Sequence, residues 1–254
     1  MIKLSLIGIG TGNTDHVTLA AVRALNSADV ILLPRKGDAK SDLLDLRRLL
    51  CEQLLDGATP ANIVEFDLPT RDTQRHYLSA VDDWHIAIAG LWAQLMDKHL
   101  PSGGHVGMLI WGDPSLFDSS LRIAQRLTDT GRAVEVNVVP GITSLQVLTA
   151  EHRISLNALA EPVQITTGRR LRERGWPSDA ARVAVMLDSG GAFTTLPPAD
   201  TYIWWGAYLG MDKQCLIKGW LSEVSEEIVE CRAALRDAHG WIMDIYLLAR
   251  QPTR

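Results

Sequence analysis

Short apolar runs closed by glycine or proline alternate with helical stretches through the first half of the chain, and this alternation restricts the fold more than any other feature. The runs are Lys3 to Gly8, Val30 to Leu33 (stopped by Pro34), Asn62 to Phe66, Val106 to Trp111 and Ala133 to Val139. Between them lie helical patterns. Asp15 to Ala28 carries Leu19, Val22 and Leu25 as a stripe, with Asn13, Thr14 and Asp15 offering cap chemistry. Ser41 to Leu55 places Leu43, Leu46, Leu50 and Leu54 on one side, with Gly57 after its end. Thr73 to about Lys98, Leu116 to Thr130 and Ile142 to about His152 complete the set. Runs this short and this apolar suit strands buried on both faces. Their alternation with helices predicts crossover units and a mostly parallel sheet covered on both sides.

After Ile154 the pattern changes. Val163 to Thr166, Arg182 to Leu187, Thr201 to Ala207, Cys215 to Trp220 and Trp241 to Leu248 read as strands with fewer helices between them, chiefly Ser222 to His239. A mixed or antiparallel sheet fits this half. At 254 residues and 46% hydrophobic, the chain can bury two α/β lobes. Its net charge of -5 and pI near 5.8 argue against a nucleic-acid surface. Cys51, Cys215 and Cys231 are odd in number and widely spaced, as buried thiols of a reducing cytosol would be, and the histidines show no metal-ligand spacing. Leu4 to Ile9 is too short for the apolar core of a signal peptide, and no run approaches the roughly 20 residues of a membrane span. A soluble, cytoplasmic, metal-free protein is the expectation.

Three strand ends carry chemistry. The first is Gly8-Ile9-Gly10-Thr11-Gly12-Asn13. A dinucleotide fingerprint needs its third glycine where Asn13 stands, and an acid at the end of the second strand, which instead reads Leu32-Leu33-Pro34-Arg35. A nicotinamide site is therefore disfavoured, and a plain structural turn competes with a ligand loop. The second is Gly112-Asp113-Pro114, where a carboxylate suits an amino-bearing ligand or, equally, caps a helix. The third is Pro140-Gly141-Ile142-Thr143-Ser144, whose hydroxyls and free N–H groups open a helix. None carries a Lys or Arg aimed at phosphate and there is no P-loop, so the ligand they imply bears hydroxyl, amine or adenine groups.

In this order the three stretches resemble the tetrapyrrole (precorrin) methyltransferase family, with Gly8, Gly10, Gly12 and Thr18 at its opening turn. Two further stretches match: "RVAVMLD", with Met186 at a methionine the family sets against adenosine, and "GAYLGMDKQCLIKGWL", with Gly206 and Ala207 at a Gly-Thr pair. The resemblance covers essentially the whole chain. It implies two α/β domains (the tetrapyrrole methylase fold) with S-adenosylmethionine in the cleft between them, and a homodimer. The domain break it implies is at the Gly-Asp-Pro turn, giving residues 1–112, which line the precorrin trough, and 113–254. The cofactor contacts it implies are Gly10, Thr11, Gly12, Trp111, Gly112, Asp113, Leu116, Thr143, Ser144, Met186, Gly206 and Ala207. Within the family, "LLPRKGDAKSDLLDLRR", "TTGRRL", "WGAYLGM" and "AHGWIMDIYLLAR" are most similar to the branch that methylates precorrin-5 at C1 and releases acetate. Methylation at another macrocycle carbon, or non-catalytic tetrapyrrole binding, are the alternatives. Two departures stand out: Thr11 where the family usually has proline, and Pro34 where some relatives carry an aspartate proposed as base.

Methyl transfer from a sulfonium asks mainly for alignment and a dry site. Acetate release needs a base for water. His16 and Asp15, beside the glycine turn, are the first candidates and Asp38 the next, although a capping or surface role accounts for a lone histidine equally simply. Arginine suits the acetate and propionate arms of a precorrin. Two basic clusters qualify, Arg35-Lys36 with Lys40 and Arg169-Arg170 with Arg172. Arg35, Lys36 and Arg169 are the expected substrate contacts, with Arg172 and Arg174 left as solvated surface charge.

Overall fold

The structure, a computed structural model, describes residues 1–35, 41–57, 62–72 and 77–251. The chain forms two units, Met1–Thr143 and Ser144–Arg254.

The first unit is a five-stranded parallel sheet. Its strands are β1 (Ile2–Gly8), β2 (Val30–Arg35), β3 (Asn62–Asp67), β4 (Gly104–Ile110) and β5 (Val134–Val139), in the order β3-β2-β4-β1-β5. Successive side chains alternate between two cores. Leu4, Leu6, Val30, Leu32, Val106 and Met108 meet Ile88, Trp92 and Met96 of α3 (Tyr77–His99) and Ile123 and Leu127 of α4 (Ser120–Asp129). Ile7, Ile9, Ile31, Leu33 and Leu109 meet Ala21 and Leu25 of α1 (Leu19–Asn26) and Leu44, Leu50 and Cys51 of α2 (Ser41–Leu54). One polar relay crosses the second face: the Asn137 amide donates to the Ser5 hydroxyl at 3.1 Å, and Ser5 lies 2.7 Å from Nε2 of His105. The ring is anchored through Nδ1 on the Ser27 carbonyl at 2.8 Å.

Because β5 pairs with β1, the first unit runs past the Gly-Asp-Pro turn at residue 112 and stops short of the pattern change at Ile154. The chain leaves β1 toward β2 on one side and leaves β4 toward β5 on the other. The neighbouring strands β1 and β4 thus flank a topological switch point, the place where open α/β sheets gather ligands.

Three local expectations change. Asn13 caps a separate 3-10 turn, Thr14–His16, and α1 starts only after Thr18, whose hydroxyl accepts the Ala21 N–H at 3.1 Å. Leu19 is consequently 75% exposed, and Ala21 with Leu25 forms the buried face. Strand β2 continues through Pro34 to Arg35, which is permitted because only Val30 to Leu32 pair with β4, so the missing N–H faces no partner strand. Helix α4 begins at Ser120, with the residues after Gly112 in turns.

The second unit is the mixed sheet the sequence suggests. Its strands are β6 (Val163–Thr167), β7 (Arg182–Met186), β8 (Tyr202–Ala207), β9 (Cys215–Trp220) and β10 (Asp244–Ala249), in the order β6-β7-β10-β8-β9. Only β6 and β7 pair in parallel. Helices α5 (Ser144–His152), α6 (Gly168–Arg174) and α7 (Leu221–His239) accompany it. Cys51, in the first unit, is buried. Cys215 and Cys231 are only partly so, and their sulfurs face each other at 3.1 Å. No helix among the described residues is long and apolar enough to cross a membrane.

A buried carboxylate organises this unit. Asp188 accepts from the Gly190 and Ala192 N–H groups at 3.1 and 2.5 Å, from the Tyr246 hydroxyl at 2.7 Å and from Arg172 at 3.3 Å. Its own carbonyl takes Arg232, which also pairs with Asp244 at 2.7 Å. Arg172, expected on a solvated surface, is thus structural. Removing one partner of a buried charge network leaves the others uncompensated. Asp188→Ala should therefore destabilise the protein by about 3 kcal/mol or more in urea titration.

Candidate functional site

The three glycine turns of the first unit are one object. Gly8, Gly112 and Gly141 pack backbone against backbone. A β-carbon on Gly8 would lie 2.6 Å from the Gly141 nitrogen and 2.9 Å from the Gly112 carbonyl oxygen, and one on Gly141 would run into that same oxygen. Such distances exclude a side chain at Gly8 and Gly141, whereas Gly112 has room for a β-carbon and is favoured by its left-handed backbone. Gly10 and Gly112 then form a two-way antiparallel bridge, with N···O distances of 3.3 and 2.8 Å. Both hold left-handed backbone, at φ of 73° and 61°.

Asp113 locks this arrangement. Its Oδ2 accepts the Gly141 N–H at 2.9 Å, tying the turn after β4 to the turn after β5. Its Oδ1 accepts the Ser115 N–H at 2.8 Å and the Ser115 hydroxyl at 2.5 Å. Burial alone would raise this carboxyl, but the bonds from the Ser115 hydroxyl, Gly141 and the Ser115 N–H outweigh it and hold the group below its ordinary 3.8. The carboxylate is therefore charged and directed, and Oδ2 keeps a lone pair beyond the one that ties the turns.

Three of the buried polar atoms without partners lie on the same turns. The Thr11 hydroxyl, on a residue 8% exposed, has no hydrogen-bond partner among the described residues, and neither has the Trp111 indole N–H or Nδ1 of His16. Thr11 follows Gly10 and Trp111 precedes Gly112, so both flank the bridge at one end. The His16 Cβ lies 3.3 Å from where a Gly10 side chain would begin. A buried polar atom left unpaired costs on the order of 1–3 kcal/mol, and three of them on neighbouring turns mark a place for something to bind.

The remaining expected residues fall as follows. Gly12 and Leu116 lie on these turns, Leu116 donating its N–H to the Asp113 carbonyl at 3.2 Å, and Thr143 is buried beyond Gly141. Asp15 is exposed in the 3-10 turn. Lys36 and Asp38, with Lys40, lie outside the described residues. Arg35 is already gripped bidentately by Asp67 at 2.9 and 2.8 Å, so its carboxylate-binding edge is in use. Arg169 lies exposed in the first turn of α6, and Ser144 opens α5.

In the second unit, Tyr246 of β10 pairs with Val185 on one side and Trp205 on the other. Met186 and Gly206, the next residues of two parallel-running strands, therefore end at the same height of one sheet. The residues after Met186 and Ala207, namely Leu187 and Tyr208, both adopt left-handed backbone at φ of 54° and 49°. Strain of this kind in bulky residues concentrates at functional sites. Gly206 serves packing: a side chain there would meet Leu209 at 2.6 Å and Leu148 of α5 at 3.0 Å.

Two contributors escaped the sequence reading. Ser115 is one. The other is Arg47, whose Nε donates to the Leu109 carbonyl at 3.2 Å and whose Nη1 donates to the Leu43 carbonyl at 3.3 Å, with its Cζ 5.4 Å from the Trp111 ring centre. A signal existed: Leu43, Arg47, Leu50 and Leu54 share one helical face, which puts a charge in an apolar stripe.

Residues 3–225 match the family described as Tetrapyrrole (Corrin/Porphyrin) Methylases. The chain is 46% identical over 252 residues to the precorrin-6A synthase [deacetylating] of Sinorhizobium sp, covering 98% of this chain and 96% of that one. The crystal structure of the cobalamin-synthesis-related protein CobF from Corynebacterium diphtheriae superposes with a TM-score of 0.83 at 38% identity, covering 98% and 99% of the two chains. The uroporphyrin-III C-methyl transferase of Thermus thermophilus, solved with S-adenosyl homocysteine, shares the fold at a TM-score of 0.59 and 21% identity, covering 97% and 92%.

Asp113 titrates lower in the folded than in the unfolded chain. Its contribution to stability is therefore complete above the ordinary carboxyl value of 3.8 and drains as pH falls through the lower folded value. The stability difference between wild type and Asp113→Asn, from urea melts across pH, should be constant above about pH 5 and shrink in acid. A difference unchanged down to pH 2 would contradict the hydrogen-bonded geometry.

Proposed function

The chain belongs to the tetrapyrrole methylase family, and from that premise we propose that it methylates precorrin-5 at C1 with S-adenosylmethionine and releases the displaced two-carbon unit as acetate, forming precorrin-6A on the route to cobalamin. The convergence of three glycine turns and Asp113 at the β1/β4 switch point supports a methyl-donor site there. The full-length likeness to the deacetylating relative supports the substrate and the release of acetate.

The residues fit the donor. The unpartnered Thr11 hydroxyl and Trp111 N–H can take its polar groups, and the Gly10, Gly12 and Gly112 backbones allow close approach. Asp113 offers an ionised oxygen with a free lone pair to an ammonium. Leu116, Thr143, Ser144, Met186, Gly206 and Ala207 complete the proposed contacts. When bound, the cofactor supplies a methyl group carried on a sulfonium. The protein's part is to orient two reactants and keep water from the sulfonium.

Acetate release asks for one base. His16, with Nδ1 unpartnered beside the glycine turn, is assigned that proton. Water's oxygen bonds to the acetyl carbon, its proton passes to His16, and the electron pair of the acetyl–C1 bond returns to the macrocycle, leaving C1 as the nucleophile that takes the methyl group. Asp15 and Asp38 are the reserve candidates. Arg35, Lys36 and Arg169 are read as contacts to substrate carboxylates, Arg35 on condition that it releases Asp67. A cytoplasmic homodimer, with residues 1–112 lining the precorrin trough, completes the reading on the family resemblance.

Precorrin-5 and S-adenosylmethionine incubated with the protein should yield acetate and methylated product in equal amounts, and methylation without acetate overturns the C1 assignment. His16→Asn should slow acetate formation roughly a hundredfold while S-adenosylhomocysteine affinity stays within about twofold. At about a hundred times its Kd, S-adenosylhomocysteine should stabilise the protein by about 2.7 kcal/mol, read as a raised Tm.

A further inference from the structure

Among the described residues, Arg47 is a half-buried cation against the end of β4 that nothing in the mechanism uses. Its guanidinium is fixed on two edges by the Leu109 and Leu43 carbonyls and on its face by the Trp111 ring. Carbonyls and a ring hold a cation in place without neutralising it. No carboxylate among the described residues forms an ion pair with it, and Asp118 acts on it only through space. Its neighbour in sequence, Arg48, is fully engaged by Glu65 and Asp45, and Arg35 by Asp67. Burial pushes the Arg47 guanidinium down to about 10, and Asp118 through space only partly offsets it. A half-buried, immobilised and uncompensated cation is costly to keep, and an Arg held in one plane is preorganised for a bidentate anion.

We propose that Arg47, oriented by Leu43, Leu109 and Trp111, receives a side-chain carboxylate of the tetrapyrrole substrate beside the turn that follows β4. This rests on the substrate reading above and deepens it, moving the primary carboxylate anchor from Arg35, whose fork is occupied, to Arg47, whose fork is held but unpaired. Trp111 then serves both sides, its ring face backing the guanidinium and its N–H left for a ligand atom.

The test measures precorrin-5 binding by tryptophan fluorescence quenching, beside a precorrin-5 analogue amidated at its side-chain carboxylates. Arg47→Met keeps the apolar stem and removes the charge. It should weaken precorrin-5 binding about tenfold or more and leave the amidated analogue and S-adenosylhomocysteine affinities within about twofold of wild type. Arg47→Lys keeps the charge without the fork and should fall between the two. Removal of an uncompensated buried charge should leave Tm unchanged or raised in Arg47→Met. If Arg47→Met unfolds, the Arg47→Lys comparison decides alone. Native and amidated ligands weakened equally, or neither weakened, overturns the proposal. Failure of wild type to bind precorrin-5 at all overturns the substrate reading instead.

Discussion

The contact of Gly8, Gly112 and Gly141 is the constraint on which the ligand end of the first unit depends. Parallel strands spaced as β4, β1 and β5 are would ordinarily send their following turns apart, each carrying side chains. Glycine at each exit lets the three backbones touch, and the touching places the Gly10–Gly112 bridge, which in turn sets Thr11 and Trp111 beside each other. Asp113 then fixes what the glycines permit, through one hydrogen bond across to Gly141 and two within its own turn. A dinucleotide fold uses its glycines to approach a pyrophosphate. Three of these glycines approach one another, and the polar atoms left over face whatever binds.

Charge is divided the same way. Several ionised groups are spent internally: Asp188 on N–H groups, Tyr246 and Arg172; Arg232 on Asp244; Arg35 on Asp67. Fully satisfied networks of this kind rigidify a core and do no chemistry. Arg47 and the unpartnered atoms of Thr11, His16 and Trp111 lie on or against the turns that follow β1 and β4. Asp113 is asked to serve both stability and ligand recognition.

The fold was legible because parallel strands advertise themselves as short apolar runs between helices, and the three strand-end motifs show in the sequence because backbone contact at Gly8 and Gly141, and left-handed backbone at Gly112, favour glycine. What the sequence hid was partnership. Arg35 looked available and is bound by an aspartate from the neighbouring strand, a relation set by the β2–β3 register. Arg172 looked like surface and belongs to a buried carboxylate. Arg47 was not singled out in the sequence, and its two carbonyl partners and the Trp111 ring distinguish it. The stripe through Leu19 failed because cap residues competed: Asn13 closes a small turn of its own, and Thr18 restarts the helix later and rotated. Periodicity reports which residues are apolar, and caps decide where counting begins.

The account stands on the strand-end cluster being where the methyl donor and its acceptor meet the protein. A crystal structure with S-adenosylhomocysteine bound tests this most directly. The account predicts the ligand against the Gly10–Gly112 bridge, with the Thr11 hydroxyl or the Trp111 N–H within hydrogen-bond distance of it. A ligand bound elsewhere, with both of those atoms still unpartnered, would contradict it.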